Sequence, residues 1–313
     1  MATNRVILMG GLGNQLFQCA FAKHLSSVTN SDVIVDPNFL SVRLNNMGDP
    51  DLNQFVLTKG VSIASADSEF KLIQKALGLT LRLHVTKQGF IWQVGSQVTR
   101  LITAMLLSAR FRCLIHLYVP SDTGYEEVKY KEKNSLYLGY FQTFVFADEI
   151  INYGVKELFK IKSEPQHKLR FENLSKDEKP LLVHVRLTDY RLESNFGILS
   201  KEYYKNAIEF HFRTSEYGAI WLFSDEPEMA VDYIPVEFKH LIRNVSNEIS
   251  DAVETLDVMT MAHGYVLANS SYSWWAAFLS RTNAPVVTYP SPWFAQMPEP
   301  NQLFPAHWQA IAR

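Results

Sequence analysis

The chain has 313 residues, 47% hydrophobic, 13% aromatic and 20% charged. That length suits two domains or one large one, and the composition excludes a disordered chain, a collagen, a coiled coil and a disulfide-dense mini-domain. A net charge of −2 excludes a general polyanion binder, so no nucleic-acid partner is expected.

The charge is unevenly spread. Residues 1–165 carry 17 Lys and Arg against 14 Asp and Glu, and residues 166–313 carry 13 against 18. From Lys71 to Ser121 no acidic residue occurs, while Lys71, Lys75, Arg82, Lys87, Arg100, Arg110 and Arg112 are basic. Two cysteines, Cys19 and Cys113, cannot build a disulfide framework and suit a reducing, cytoplasmic compartment. Met1 to Gly13 lacks the charged start and long apolar run of a secretory signal. The apolar run Leu101–Val119 is interrupted by Arg110, Arg112 and His116. A spanning helix needs about 20 mostly uncharged apolar residues, so this run is not expected to cross a membrane. A peripheral place on an anionic membrane and an ordinary solvated helix face both fit it.

Taken in order, RVILM reads as a strand, GGLGNQ as a turn and LFQCAFAKHL as a helix. DVIVD reads as a second strand ended by Pro37, which completes a βαβ unit. EFKLIQKAL and QVTRLITAMLLSARF read as helices, SLYLGYFQ as a buried strand and ADEIINYGVKELF as a helix. The polar stretch of residues 160–180 carries prolines near both ends and reads as a linker. A second α/β pattern follows from Pro180. Its strands are LLVHVRL, AIWLFSD, YVLANS and APVVTYP, and its helices are SKEYYKNAIEFHFR, VETLDVMTMAHG and SYSWWAAFLS, with a short helix expected at the C-terminal end. Ser200 is a natural N-cap. The boundaries are therefore 1–165 and 166–313. Two α/β halves with polar residues at their strand ends imply a ligand in a cleft between them.

Gly10, Gly11 and Gly13 form a turn in which backbone can approach a phosphate at a helix N-terminus. A dinucleotide site would want G-x-G-x-x-G and an acidic residue about 20 positions on. Gly11, Gly13 and Asp36 fit that pattern, but Leu16 stands where the third glycine belongs. A simple tight turn fits equally.

In HVRLTDY, His184 and Arg186 share one face of a strand and Asp189 follows at its end. Arginine there suits bidentate phosphate contacts, although an Arg186–Asp189 surface ion pair and a core histidine are the plainer readings. Asp225 ends the next strand, where a carboxylate can accept two N–H bonds from a base such as guanine or can merely cap a helix. Asn269, Ser270 and Ser271 precede a helix and offer hydroxyls and free N–H groups to a diphosphate, or serve as its cap. Trp274 and Trp275 suit the core better than a ligand. Asp49-Pro50-Asp51 has the D-x-D form of a cation site but lies in a turn-rich string. No zinc-type Cys/His spacing, P-loop or G-x-S-x-G elbow is present.

Together, GGLGNQLFQ, H-x-R-x-x-D-Y, FSD and ANSSYSWW, in this order and spacing, resemble glycosyltransferase family 11, the α-1,2-fucosyltransferases, over residues of about 14 to 290. RLNNMGDPDLNQF is similar to the family's R-L-x-x-F stretch, which favours a structural role for Asp49 and Asp51. The resemblance implies an α/β fold of two Rossmann-like domains facing a cleft, the glycosyltransferase B type. It implies GDP-β-L-fucose as co-substrate, inversion at the anomeric carbon and no required metal. By matched motif, Arg186 binds the β-phosphate, His184 and Asp225 hold the guanine end, Asn269, Ser270 and Ser271 line the diphosphate, and Gly13 and Asn14 face the fucose-phosphate side. The implied acceptor is the 2-hydroxyl of a galactose in a glycan of O-antigen or surface-polysaccharide type; a lipid-linked acceptor at the inner membrane face is what the basic stretch of residues 71–121 would suit.

Four positions depart from the family pattern. Leu187 replaces a second arginine, Thr188 a glycine, Phe196-Gly197 a His-Gly pair, and Glu226 an aspartate. A charged hydrogen bond is worth about 1.5–3 kcal/mol, so losing an arginine bears on acceptor and linkage more than on donor. The expected reaction is a single displacement in which Arg186 stabilises the leaving diphosphate. Asp189 and Glu193 are the nearby carboxylates for a general base, with Glu193 preferred because Asp189 is expected to orient Arg186. Two other classes stay in play: a nicotinamide-dependent oxidoreductase resting on Gly11, Gly13 and Asp36, and a sugar- or nucleotide-binding protein without turnover.

Overall fold

A computed structural model describes residues 3–37, 51–55, 57, 59–65, 75–77, 79–80, 90–111, 115–121, 123–128, 134–152, 161, 166–191 and 194–313. It divides into two compact units, Met1–Lys162 with Pro300–Leu303, and Ser163–Glu299 with Phe304–Arg313.

The first unit is a parallel sheet of order β3-β2-β1-β5-β4. Its strands are β1 (Asn4–Ile7), β2 (Val33–Asp36), β3 (Val61–Ile63), β4 (His116–Tyr118) and β5 (Ser135–Tyr137). Helix α1 (Leu12–Thr29) crosses from β1 to β2 and buries Leu16, Phe17, Phe21 and Leu25. Phe21 stacks on Phe141 at 3.8 Å and meets Tyr137 and Phe146 edge-on, which fastens α1 to the β5 side of the sheet. Helix α2 (Phe90–Phe111) precedes β4, and α3 (Phe144–Asn152) follows β5. Residues 300–303 pack with this unit: Asn301 O accepts from Tyr125 N at 2.8 Å and Gln302 O from Phe144 N at 3.0 Å.

The second unit is a parallel sheet of order β11-β10-β9-β6-β7-β8. It comprises β6 (Leu181–Val185), β7 (Ile220–Ser224), β8 (Ile242–Asn244), β9 (Gly264–Val266), β10 (Val286–Ser291) and β11 (Gln309–Ala312). Every residue of β6 is buried, the signature of a strand covered on both faces. Helix α4 (Lys168–Glu178) leads into β6, and α5 (Lys201–Thr214) links β6 to β7 with Ser200 as its cap, Ser200 Oγ accepting from Tyr203 N at 3.1 Å. The short α6 (Pro227–Ala230) follows β7, α7 (Ala252–Met259) precedes β9, and α8 (Ser271–Phe278) follows it. Trp274 and Trp275 are fully buried and edge-to-face, so they are core.

Three expectations are corrected. The linker of residues 160–180 contains α4, which is held by buried Phe171 and by Ser175, whose hydroxyl donates to Met261 O at 2.6 Å. With only two buried positions, the helix shows almost no apolar period. The expected C-terminal helix is the strand β11, paired parallel to β10; it is a largely exposed edge strand, so it has no continuous apolar run. The GGLGNQ turn ends at Gly11, and Leu12, Gly13, Asn14 and Gln15 already form the first turn of α1. Gly10 alone makes the bend: its φ is +72°, and a Cβ there would meet Asn14 Nδ2 at 2.4 Å.

Candidate functional site

In the second sheet the chain runs from β6 to β7 on one side and from β9 to β10 on the other. Such a reversal opens a crevice at the carboxyl ends of the two central strands. The loop after β6 carries Arg186–Arg191, and the loop after β9 carries Asn269–Ser271, so the two motifs flank this point.

Arg186 is about one-third exposed, and its Nε lies 3.3 Å from Asp225 Oδ2. Asp225 also accepts from Leu187 N at 2.9 Å and Thr188 N at 3.0 Å, which ties the end of β7 to the loop after β6. Burial pushes the Asp225 carboxyl up, but the Arg186 charge and these N–H donors outweigh it and hold it below the usual carboxylate range. A carboxylate has about four acceptor sites, so room is left for a further donor. Next to it, Glu226 takes both terminal nitrogens of Arg191 at 2.7 Å, a bidentate fork, and accepts the Thr188 hydroxyl at 3.3 Å. Arg191 is the cation the sequence reading missed. It lies one residue past the singled-out HVRLTDY segment, two beyond Asp189.

His184 is buried on β6, where its carbonyl accepts the Tyr204 hydroxyl at 3.1 Å. Across the switch point, Ser270 caps α8, accepting from Tyr272 N at 3.3 Å, and Ser271 opens that helix. Asn269 is 2% exposed. Its amide donates to Phe196 O at 3.0 Å, its carbonyl accepts the Tyr190 hydroxyl at 2.8 Å, and its Oδ1 meets no hydrogen-bond donor among the described residues. Tyr190 stacks on Phe196 at 5.2 Å. Arg313 donates to the carbonyls of Phe196 and Gly197, so the Phe196-Gly197 turn is held from both sides. Gly197 has φ +63°, with the Arg313 guanidinium 2.8 Å from where a Cβ would stand.

The second sheet thus brings together His184, Arg186, Asp225, Asn269, Ser270 and Ser271. The backbone of Asp189 lies in the short turn Asp189–Arg191, its side chain is outside what is described, and Glu193 lies outside the described residues. Leu187, in the place of the second arginine, is 1% exposed and packs in the apolar core with Val185, Leu199 and Ala230.

Gly13 and Asn14 belong to the first unit, in the first turn of α1 after β1, the strand that neighbours β5. There Gln18, fully buried, accepts from Met9 N at 2.9 Å and donates to Gly139 O at 3.0 Å, joining the loops after β1 and β5. Asn14 Oδ1 accepts from Gln142 Nε2 at 2.8 Å. Asp36, the acidic residue of the dinucleotide reading, is 1% exposed and pairs with Arg5 at 3.0 Å. That leaves no carboxylate presented for a ribose and removes the support for the oxidoreductase. Asp49 lies outside the described residues; Asp51 opens a short 3₁₀ turn, Asp51–Gln54.

The family model for glycosyl transferase family 11 matches residues 121–312, which include the whole second sheet and its two site loops. The chain belongs to glycosyltransferase family 11. It is similar to the O-antigen biosynthesis glycosyltransferase WbnK of Escherichia coli, 26% identical over 309 residues that cover 92% of this chain and 94% of that protein. It is also similar to an alpha-1,2-colitosyltransferase of Escherichia coli, 28% identical over 123 residues, 36% of this chain and 40% of that one. Among solved structures, the family 9 glycosyl transferase from Veillonella parvula is similar at a TM-score of 0.50, with 9% identity over 99% of this chain and 87% of that one, which bears on fold alone. The family and the two-sheet α/β architecture of glycosyltransferase B type implied by the sequence are thus confirmed.

Proposed function

We propose that this chain transfers L-fucose from GDP-β-L-fucose, with inversion, to the 2-hydroxyl of a galactose in an O-antigen or surface polysaccharide. One observation carries the donor half: a partly exposed arginine, Arg186, stands at the switch point opposite the start of α8. A fixed guanidinium and a helix N-terminus are the two groups a departing diphosphate needs. Arg186 takes the β-phosphate, and Asn269, Ser270 and Ser271 take the diphosphate with their N–H and hydroxyl groups. His184 and Asp225 hold the guanine end, Asp225 using its remaining lone pairs. Gly13 and Asn14 face the sugar-phosphate.

In the reaction the acceptor oxygen forms a bond to C1 of the fucose as the bond from C1 to the β-phosphate oxygen breaks. GDP leaves with the electron pair. Glu193 takes the hydroxyl proton while Asp189 orients Arg186. No metal is required, because Arg186 neutralises the charge that grows on the β-phosphate. The O-antigen setting is supported by WbnK, whose name places it in that biosynthesis and whose likeness spans nearly both chains. The α-1,2 linkage is supported by the second relative. That relative is named for colitose, a fucose without its 3-hydroxyl, so the 3-deoxy donor is the specific rival.

Calorimetric titration with GDP in EDTA, beside NADH, tests the donor half. GDP binding without metal is the expected result. NADH binding without GDP binding overturns the proposal. Turnover of GDP-fucose against its 3-deoxy counterpart, on β-galactoside acceptors, then decides the sugar.

A further inference from the structure

Helix α2 carries an apolar face that the first unit does not use. Val98, Leu101, Ile102, Met105 and Leu106 are 47%, 66%, 49%, 71% and 40% exposed. Their spacing of i, i+3, i+4, i+7 and i+8 is that of one continuous helical stripe. The opposite side is the one that packs: Thr103 and Leu107 are fully buried, Thr103 bonding Thr80 at 3.0 Å and Leu107 sitting in a core with Ile7, Leu77 and Leu136. The helix is therefore oriented by its inner face while five large apolar side chains point to solvent. Contiguous apolar surface of this kind marks an interaction site rather than ordinary exposure.

Charge says what covers it. The stripe lies inside the 51 residues from Lys71 to Ser121 that contain seven Lys and Arg and no Asp or Glu. At the average of this chain, 32 acidic residues in 313, such a stretch would hold about five. A second copy docked through this helix would bring together two stretches of sequence that are basic and free of acidic residues, which like-charge repulsion opposes. No helix among the described residues is long and apolar enough to cross a membrane. An apolar helical stripe within a basic, acid-free stretch of sequence is the pattern of a helix lying in the plane of an anionic lipid surface. We propose that α2 binds the first unit to an anionic membrane surface, with Leu101 and Met105 inserted among the acyl chains. The proposal stands apart from the identity of the sugar nucleotide, since it uses no residue of the second unit.

Co-sedimentation of the full chain with vesicles tests it. One set is phosphatidylcholine alone, the other phosphatidylcholine mixed with phosphatidylglycerol. The chain is expected to sediment with the anionic set, to stay in solution with the neutral one, and to be released by salt, since each cation near such a surface strengthens partitioning about fivefold. Both Leu101 and Met105 are exposed, so Leu101→Gln with Met105→Gln should keep the thermal midpoint and GDP affinity while anionic-vesicle partitioning falls by at least about tenfold. Equal partitioning to both vesicle sets, or sedimentation untouched by the double substitution, overturns the proposal. So does a concentration-dependent dimer that the substitution dissolves, because the face would then be covered by a second copy.

Discussion

The first unit joins the loops after its neighbouring strands β1 and β5 with neutral amides, and the second joins the loops after β6 and β7 with charge. Gln18 bridges Met9 and Gly139, and Gln142 meets Asn14. In the second unit, Arg186 and Arg191 face the consecutive carboxylates Asp225 and Glu226. Both sheets are parallel, but only the second reverses its strand order, between β6 and β9, where topology offers a crevice; in the first, β1 to β3 and β4 to β5 run in one direction. Residue chemistry then separates them. Amides both donate and accept and so suit sugar hydroxyls, whereas guanidinium groups suit phosphates. The two parallel sheets thus carry different chemistry at their strand ends, a difference that substitutions can break.

The largest expected effect tests where the charge belongs. Leu187→Arg would place the second arginine of the family pattern into the apolar core around Val185 and Leu199. An unpaired buried charge costs about 3–5 kcal/mol, so the thermal midpoint should fall steeply with no gain in turnover. A stable, faster variant would show that position 187 can face the donor beside Arg186.

Arg186→Ala should lose about 2–4 kcal/mol of transition-state stabilisation, the scale of a removed oxyanion donor, with little loss of thermal stability. The ion pair it breaks is partly exposed and contributes little to folding. Single-turnover rates with saturating donor would read this directly. Near-normal turnover would end the assignment of Arg186 to the leaving group.

The charged half of the comparison was the more legible in the sequence. Arg186, Asp225 and Asn269–Ser271 sit at ends of strands whose apolar runs are unbroken, so their positions follow from β6, β7 and β9. The resemblance supplied their roles. Partners set by long-range packing were not legible: Arg191 with Glu226, 35 residues apart, and Arg313 with Gly197, 116 apart. Asp36 misled for a related reason. Its spacing from the glycines fits a ribose ligand, but a partner 31 residues earlier, Arg5, occupies it. Short, exposed elements also hid themselves, because α4 and β11 bury too little to show a period.

The neutral half is tested by Gln18→Leu. The shape is kept, while Met9 N–H and Gly139 C=O lose their partner inside the fold. Orphaned buried groups cost about 1–3 kcal/mol each, so with two of them the first unit should lose about 2–6 kcal/mol in denaturant melts. GDP affinity should be unchanged, because the binding groups lie in the second unit. A parallel loss of GDP affinity would mean that the amide-joined loops after β1 and β5 also serve the nucleotide.

The smallest effect is the pH dependence of the Asp225 contacts. Its native pKa is depressed, with Arg186 and the Leu187 and Thr188 N–H groups overcoming the burial that raises it. A depressed carboxylate stabilises the fold fully above its unfolded pKa, about 3.9, and that contribution drains as pH falls through the native value. Asp225→Asn should therefore flatten the acid limb of the stability curve below about pH 4 and cost stability at neutral pH, where the carboxylate would have held the loop. Asp257 makes the control. It is paired with Arg281, yet its pKa is raised, because burial is its largest influence and its Oδ2 has no donor among the described residues. Asp257→Asn should cost less at neutral pH and should not flatten the acid limb. Equal behaviour of the two variants would mean that the Asp225 contacts do not hold the loop after β6, and the charged switch point would lose its structural half.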